Sequence, residues 1–337
     1  MIRRLWLMAF AAALIPAQLS AVPIASEPRL HPRDVPAAPS YVQRVEGSLL
    51  ALRVTATEGS RSSARLGRQR FGTAVVFDPA GYAVTVSYAV LDAERIEAQT
   101  RDGRTVPARL VGVDLDSGLA VVRLEGEGPW PAVEFGDAAD VTPGMTTGTA
   151  GVDEDNDVVY ALSSVQAVRR FSAFWEYMLD RAFIVAPAIT SWGGSAVVDD
   201  RGRVVGIVSL RLGDAPYVNL AIPVDKFLPV KDELIQAGRV VSRRARPWLG
   251  LHTIAEPGAV YVDGFNEAGP AVRAGFRKGD RIVGVNGVRV ASQEEFYEQL
   301  WRRQAGDTIE VAVQRDDRVR TITVRSIDRY LLYRTVQ

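Results

Sequence analysis

Cysteine is absent from the 337 residues of this chain, and histidine occurs only twice, as His31 and His252. The lack of thiols excludes disulfides, thiolate metal sites, a cysteine nucleophile and a cysteine-linked lipid anchor. The scarcity of histidine has a second consequence, because residues 32–251 contain no imidazole that could act as a general base. We predict neither a metal site nor a cofactor for this chain.

Lysine is almost as scarce, since Lys226, Lys231 and Lys278 are its only positions and arginine carries nearly all of the positive charge. The 40 lysines and arginines balance the 40 aspartates and glutamates. A chain without net charge has no global field that would draw it onto nucleic acid or an anionic membrane. We therefore predict no nucleic-acid partner.

An export signal is predicted at the N-terminus, in residues 1–21. Arg3 and Arg4 precede an apolar run from Leu5 to Ala17, which is short for a membrane span and contains Pro16. The pattern indicates a periplasmic or otherwise exported protein. The alternative is an uncleaved segment that anchors the chain to the membrane. The proline-rich residues 22–40 are predicted to form an extended tether.

Short apolar runs separated by turn residues fill the region from Tyr41 to Ala221. Runs of this length and spacing indicate many short strands and a mostly β barrel or sandwich, which we delimit as residues 41–242. The polar stretch Gly59–Arg70 is predicted to be a surface loop. The predicted strands are Ser48–Thr55, Gly72–Phe77, Tyr82–Val86, Arg95–Gln99, Ala108–Val113, Leu119–Leu124 and Val204–Leu210.

Two segments have apolar residues at helical spacing. Pro223–Gly238 is predicted to be a helix that Gly238 ends. Arg169–Asp180 places its large apolar side chains at i, i+3, i+4, i+7 and i+8, which predicts an amphipathic helix. This second helix would either cap the β domain or contact a partner or another subunit.

A second module follows the basic linker Arg239–Arg246 and is delimited as residues 247–327, with a tail at 328–337. Its pattern indicates a compact α+β domain with strands, an Asn286–Gly287 turn and two helices. The predicted strands are Trp248–Thr253, Ala259–Phe265, Arg281–Val285, Thr308–Arg315 and Val319–Arg325, and the predicted helices are Ala268–Ala274 and Gln293–Arg303.

Several short motifs follow one another in a characteristic order and spacing. They are Gly72–Phe77 with Gly81–Thr85, Asp102–Arg104, Val111–Asp114 with Leu119–Leu124, Phe135–Asp137, Gly202–Ile207 and Leu220–Pro223. Together these motifs resemble the HtrA (DegP-like) family of trypsin-like serine proteases. The resemblance implies a trypsin-like double β-barrel followed by a PDZ domain, and it covers nearly all of the chain after the predicted export signal.

The same resemblance implies where a catalytic triad would lie, and other residues occupy those positions. The histidine position holds Tyr88, the aspartate position holds Gly118 and the nucleophile position before Gly193–Gly194 holds Trp192. The loop after Ile189 is also shorter than in the family, where its backbone N–H groups form the oxyanion hole. Tyr88 and Trp192 would either fill the vacated volume or stack on a ligand.

Chemistry leads to the same expectation, because a serine hydroxyl needs a positioned base to become a nucleophile. Ser191 and Ser195 offer hydroxyls, but no histidine lies nearby in the sequence and no lysine precedes Lys226. Asp116 is the remaining candidate base, and its pKa is poorly matched to a hydroxyl. We therefore expect that the chain is not an enzyme but a pseudoprotease. An active endopeptidase with a non-standard constellation is the alternative.

The second module resembles a PDZ domain of the HtrA kind, on the motifs Gly269–Phe276, Arg277–Ile282 and Val285–Gly287. The resemblance implies that the backbone of Trp248, Leu249, Gly250 and Leu251 receives a peptide's terminal carboxylate while the peptide adds a strand. Gln293, Tyr297 and Trp301 follow at i, i+4 and i+8 and should face the groove, which favours apolar or aromatic C-termini. Phe296 and Leu300 should face the core. His252 would either touch the peptide or be an ordinary strand residue.

Three functions remain open at this point. The first is a scaffold, adaptor or chaperone that holds peptide C-termini or unfolded segments without cleaving them. The second is the active endopeptidase, and the third is a structural subunit of a larger envelope complex. The family resemblance also implies a possible homotrimer or an assembly with active homologues.

Overall fold

The computed structural model describes residues 37–334. The predicted export signal lies outside the described residues, as does most of the predicted tether. The tether prediction extends too far at its C-terminal end, because Ser40 is already the first residue of helix α1 (Ser40–Glu46). Within residues 37–334 no helix is both long and apolar enough to span a membrane.

The first barrel has six strands that close in the order β1–β2–β3–β6–β5–β4. Its strands are rich in β-branched residues, and their buried apolar side chains fill its interior. Helices α2 and α3 lie in its connections. The elements are β1 (Leu49–Ala56), α2 (Arg61–Leu66), β2 (Gln69–Asp78), β3 (Tyr82–Val86), α3 (Ser87–Val90), β4 (Ala93–Gln99), β5 (Thr105–Asp114) and β6 (Leu119–Leu124).

The second barrel repeats this topology and closes in the order β10–β11–β12–β9–β8–β7. A 3₁₀ turn and helix α4 follow it, and α4 ends at Gly238 in the left-handed conformation that glycine adopts without strain. The elements are β7 (Thr146–Val152), β8 (Val158–Ala173), β9 (Tyr177–Ala186), β10 (Ala196–Val198), β11 (Val204–Leu212), β12 (Val218–Pro223), the turn Val224–Lys226 and α4 (Lys231–Ala237).

The C-terminal domain has a five-stranded path β14–β15–β16–β18–β19, with β17 paired to β16, and its own apolar core. A separate pair, β13 with β20, joins the strands by which the chain enters and leaves the domain. The elements are β13 (Pro247–Trp248), β14 (Leu251–Glu256), β15 (Ala259–Phe265), α5 (Ala271–Ala274), β16 (Arg281–Val285), β17 (Val288–Arg289), α6 (Gln293–Leu300), β18 (Thr308–Arg315), β19 (Arg318–Arg325) and β20 (Ile327–Asp328). The architecture confirms the predicted double barrel followed by an α+β domain.

The helix predicted over Arg169–Asp180 is wrong. The segment is a β-hairpin in which β8 and β9 pair down to Ala173 opposite Tyr177, with a three-residue turn between them. The hairpin brings Leu179 directly opposite Phe171, so an i, i+8 apolar pair arises from strand pairing. A bulge between Arg169 and Phe171 disturbs the two-residue alternation that would have indicated strands.

Three smaller expectations also need correction. Residues 59–70 are not a plain loop, because Ser60 caps helix α2 by accepting a hydrogen bond from the Ser63 amide. The segment Pro223–Gly238 is a 3₁₀ turn and a short helix rather than one helix. The strand predicted over Trp248–Thr253 is two strands, β13 and β14, which belong to different sheets.

The chain returns to the first barrel after the C-terminal domain, through a 3₁₀ turn at Arg329–Leu332. The Tyr330 hydroxyl donates to the Val113 carbonyl (3.1 Å) and accepts from the Leu115 amide (3.0 Å). The Arg334 amide donates to the Asp92 carboxylate (2.6 Å). The C-terminal domain is therefore attached to the first barrel through its tail as well as through its linker.

Candidate functional site

The junction of the two barrels brings together the three positions that the sequence assigned to a triad. Tyr88 lies in α3 after β3, Gly118 directly before β6 and Trp192 before β10. The Ser87 amide donates to the Gly118 carbonyl (2.7 Å), and the Tyr88 hydroxyl donates to the Ser209 carbonyl (2.7 Å). Burial raises the pKa of Tyr88 well above its usual range, although a hydrogen bond with Trp192 opposes this shift.

The loop from Ser191 to Ser195 is fixed by its own hydrogen bonds. The Gly194 amide donates to the Val208 carbonyl (2.9 Å) and the Ser195 amide donates to the Trp192 carbonyl (3.1 Å). The Ser195 hydroxyl is buried and donates to the Ser191 carbonyl. The two amide hydrogen bonds fix the half of the loop that follows Trp192.

The candidate bases have other partners. Nε2 of His252, in β14, lies 3.1 Å from a guanidinium nitrogen of Arg65, and its ring packs edge-on against Phe174. The Asp116 carboxylate lies within ion-pair distance of Arg243 and Arg246. His252 is therefore a strand residue at the surface between the domains, and Asp116 belongs to an ion-pair cluster around the linker.

A groove in the C-terminal domain runs between strand β14 and helix α6. The Gln293 side chain bridges its floor by donating to the Thr253 carbonyl (3.2 Å) and hydroxyl (2.8 Å). Tyr297 is fully buried and stacks on Trp301, with ring centroids 5.3 Å apart. Helix α6 thus turns Gln293, Tyr297 and Trp301 toward this groove, while Phe296 lies in the apolar core.

One end of the groove holds a carboxylate that belongs to the chain itself. The Leu249 amide donates to one oxygen of Glu176 (3.0 Å) and the Leu251 amide donates to the other (2.7 Å). The glycine between these two donors, Gly250, has φ +79° and approaches Gly269 so closely that a Cβ would lie 2.6 Å from its Cα. The loop after Trp248 therefore forms a two-donor cradle for a carboxylate.

The chain that precedes Glu176 lies along the groove. The Thr253 amide of β14 donates to the Phe174 carbonyl (3.0 Å), and the Tyr297 hydroxyl donates to the Ala173 carbonyl (2.7 Å). The Glu176 amide in turn donates to the Tyr297 hydroxyl (3.2 Å). Because Phe174 lies beside Thr253 and Glu176 reaches the start of β14, the segment runs antiparallel to β14.

The exposed side of helix α6 contacts the same hairpin. The Ser172 hydroxyl donates to the Glu294 carboxylate (2.6 Å), and Arg170 pairs with Glu298 (2.6 Å). Both walls of the groove therefore hold residues 170–176, which we call the hairpin tip. The segment 169–180 was predicted to cap the β domain or to contact a partner or another subunit, and in the structure its tip contacts the C-terminal domain of the same chain.

The Glu176 carboxyl titrates in an unusual range. Burial raises its pKa to about 7, while the amides of Leu249 and Leu251 and the positive charge of Arg329 oppose the shift. Its side chain is sealed inside the groove, as the residue is only 2% exposed. Asp116 and Arg246 line the same small cavity beside it.

This shift predicts a pH-dependent stability that depends on Glu176. The folded pKa of about 7 exceeds the ordinary value of 4.5, so folding binds a proton, and stability present below pH 4.5 is lost as the pH rises through 7. The unfolding free energy of the wild type relative to Glu176→Gln should fall by about 1.4 kcal/mol per pH unit over that interval. Urea titrations of both proteins at pH values from about 4.5 to about 7.5 measure the difference, and a constant difference would contradict the prediction.

The sequence identified most of the groove but missed its occupant. Leu249, Leu251, Gln293 and Tyr297 are in contact with the hairpin tip or with the Thr253 side chain that touches it. Trp248 contributes to the domain's entry strand instead, since it pairs with Ile327 of β20. No local pattern in the sequence marked Glu176, because its partners lie more than seventy positions away.

Both domains of this fold match known protein families. Residues 72–207 match the trypsin-like peptidase domain, and residues 247–325 match the PDZ domain. The matches lie on the two barrels and on the C-terminal domain that contains the groove.

Curated relatives cover most of the chain at low identity. The serine endoprotease DegS of Escherichia coli is 28% identical over 283 residues, 75% of each chain. A probable periplasmic serine endoprotease DegP-like of Halomonas elongata is 26% identical over 274 residues. The serine protease Do-like HtrA of Lactobacillus helveticus is 25% identical over 265 residues. The last two matches cover 76% and 70% of this chain but only 56% and 62% of those proteins.

Solved structures support the fold. The HtrA-type protease AlgW with decapeptide aligns over 86% of this chain and 98% of its own, with a TM-score of 0.56 and 22% identity. The serine endoprotease from Yersinia pestis aligns over 88% of this chain and 99% of its own, with a TM-score of 0.55 and 22% identity. At this identity the likeness concerns the arrangement of the chain.

The expectation that the chain is not an enzyme must be corrected. The three relatives are named serine proteases or endoproteases, and these names point to protease activity. The expectation rested on the residues at three positions, Tyr88, Gly118 and Trp192, and on the scarcity of histidine, whereas the relatives named as proteases match most of the chain.

Proposed function

Because the chain is HtrA-like, with a trypsin-like peptidase domain followed by a PDZ domain, we propose that it captures peptide C-termini or the ends of unfolded segments in the groove between β14 and α6. By holding such chains it acts as a scaffold, adaptor or chaperone. One observation carries the proposal: the amides of Leu249 and Leu251 already bind both oxygens of a carboxylate.

The rest of the groove supplies strand addition. The Thr253 amide donates to the Phe174 carbonyl of a segment that runs antiparallel to β14, and the same amide is available to a peptide that adds to this sheet edge. Tyr297 and Trp301 give the wall opposite β14 an aromatic surface, which favours apolar side chains near the end of a ligand. A structure with bound decapeptide among the HtrA-type neighbours is in keeping with this use of the fold.

The test compares one peptide with and without its terminal charge. The probe is a fluorescein-labelled octapeptide, Arg-Arg-Phe-Ser-Ala-Phe-Trp-Val, made once with a free carboxylate and once as the amide. Fluorescence anisotropy with the full chain should give an affinity at least about 10-fold higher for the free carboxylate, since the amide loses the negative charge and one of the two acceptor oxygens. Equal affinity for both forms would exclude carboxylate capture.

We propose further that the protein works outside the cytoplasm, in the periplasm of a Gram-negative cell or an equivalent exported location. The predicted export signal in residues 1–21 supports this, as does a relative that is named periplasmic. Peptide or protein C-termini are its proposed partners, and a homotrimer or an assembly with active homologues is the proposed form. Fractionation of cells that express a C-terminally tagged chain tests the location, and cytoplasmic recovery would contradict it.

Peptide-bond hydrolysis by the barrels is a second candidate function, and the names of the relatives favour it. Ser191 and Ser195 flank the loop at the barrel junction, so a casein cleavage assay should compare the wild type with Ser191→Ala and Ser195→Ala. Cleavage that one serine variant abolishes would establish this activity and identify the nucleophile. Cleavage that survives in both variants would exclude these two serines.

A further inference from the structure

The groove of the PDZ domain is filled by the chain's own β8–β9 hairpin. Three features of a bound peptide are present at once in residues 173–176. Glu176 provides the carboxylate, Phe174 provides the β-type hydrogen bond to Thr253, and the chain direction is antiparallel to β14. A free C-terminus that bound in the same way would need the same amides.

The occupant is also held by several contacts at once. Glu176 is buried, and the Tyr297 hydroxyl hydrogen-bonds to the backbone of both Ala173 and Glu176. Glu176 itself has φ +55°, a left-handed conformation in which a non-glycine residue is strained, and its contacts in the groove offset that strain. A glycine would adopt this turn without strain, so the turn itself does not require the Glu176 side chain.

We propose that the hairpin tip is an internal ligand of the PDZ groove, in which Glu176 takes the place of a C-terminal carboxylate and must be displaced before a peptide can bind. This inference rests on the proposed peptide-binding function. The two β strands that carry the tip continue into the second barrel, where β9 pairs with β12. The tip is therefore continuous with the strands of the second barrel.

Because the tip competes with a free peptide, the apparent affinity for the peptide equals the intrinsic affinity multiplied by the fraction of molecules whose groove is open. Removing the carboxylate of Glu176 should raise that fraction. We expect Glu176→Gly to bind the free-carboxylate octapeptide about 10-fold or more tightly than the wild type. The turn tolerates this change, because glycine adopts positive φ without strain.

A second variant removes the tip without depending on one residue. Phe174, Trp175 and Glu176 are replaced by the two-residue turn Asn-Gly, which closes a hairpin from the same paired residues, Ala173 and Tyr177. This variant should bind the octapeptide at least as tightly as Glu176→Gly. The matched control is Asp316→Gly, which also removes a carboxylate at positive φ (+49°) but lies in the exposed β18–β19 turn.

All proteins are measured by anisotropy as full chains, after circular dichroism has shown native secondary structure and a cooperative melt. Tighter binding by both tip variants and wild-type affinity for Asp316→Gly establish the internal ligand. If the wild type and both tip variants bind the free-carboxylate octapeptide with equal affinity, the internal ligand is overturned but the peptide-binding function is not. Absence of binding by every folded variant overturns the peptide-binding function and, with it, the internal ligand.

Discussion

Gly194→Ala is expected to destabilise the protein by about 4 kcal/mol or more, a large loss for the addition of one methyl group. A Cβ at this position would lie 1.9 Å from the Thr73 carbonyl oxygen and 2.7 Å from the Thr85 hydroxyl oxygen. Both atoms belong to the first barrel, and one is backbone, so neither can move away at small cost. The residue also has φ +88°, which adds about 1 kcal/mol of strain for alanine.

The control for this change is Gly213→Ala. Gly213 has nearly the same φ, +79°, but among the described residues nothing lies within 4 Å of the position that its Cβ would take. The Gly213→Ala protein should therefore lose only about 1 kcal/mol of stability, the backbone strain of alanine at positive φ. Thermal melts combined with hydrogen exchange of β2 and β11 separate the two effects, and a Gly194→Ala protein as stable as Gly213→Ala would contradict the tight contact between the barrels.

Asp280→Ala is expected to destabilise the PDZ domain by about 3–5 kcal/mol, because it leaves a partly buried arginine without its partner. Nε and Nη2 of Arg315 donate to separate carboxylate oxygens (2.6 and 2.7 Å), and the side chains of Asp280 and Arg315 are 1% and 13% exposed. The Arg277 amide also loses its acceptor (2.8 Å). Peptide binding should fall with the population of folded domain.

The same pair predicts acid sensitivity. Burial by itself would raise the pKa of Asp280, but the hydrogen bonds from Arg315 and from the Arg277 amide hold it below its usual value. A lowered folded pKa means that the pair's stabilisation is present above the unfolded value of about 3.9 and is lost as the pH falls below it. The stability difference between the wild type and Asp280→Ala should shrink as the pH drops below about 4.

The matched control is Asp263→Ala in the same domain. Asp263 pairs with Lys278 at 2.8 Å, but the two side chains are 33% and 73% exposed, and exposed pairs contribute about 0–1 kcal/mol. Urea titration monitored by hydrogen exchange of β16 and β18 distinguishes the two variants. Equal losses for Asp263→Ala and Asp280→Ala would show that burial of the Arg315 pair is not what stabilises the domain.

The local pattern predicted the six strands of the first barrel well because they are short, β-branched and separated by turn residues, whereas in the second barrel it predicted only β11 as a strand. β3 was predicted within its observed bounds, and β2 and β5 extend only a few residues further. The local alternation of these strands is enough to identify them without any knowledge of their partners. Which strands pair to close each barrel depends on distant contacts, so that information came from the family resemblance.

The hairpin of β8 and β9 shows where local patterns fail. Phe171 and Leu179 face each other across the ladder, and the spacing between them is close to two turns of a helix. Bulges in the ladder remove the regular alternation that would have revealed the strands. Sequence periodicity alone could not distinguish the two structures over this length.

The groove was partly predictable because some of its features are local in the sequence. Gly250 stood in a short motif whose resemblance to a carboxylate-binding loop is local, and the i, i+4 spacing of Gln293 and Tyr297 fixes which way they face along one helix. Glu176 was different, because its role depends on a contact between two domains and on the direction in which a hairpin points. Neither can be obtained from the residues around it.

The paired strands β13 and β20, together with the bonds from Tyr330 to the first barrel, have a consequence for any competitor of the hairpin tip. They fix both ends of the PDZ domain close to the barrels, so the tip meets the groove at an effective concentration in the millimolar range, as expected for short tethers. A free peptide with the same intrinsic affinity must reach a comparable concentration to compete. Only ends that bind much better than the chain's own tip, or that are presented many at once, would open the groove.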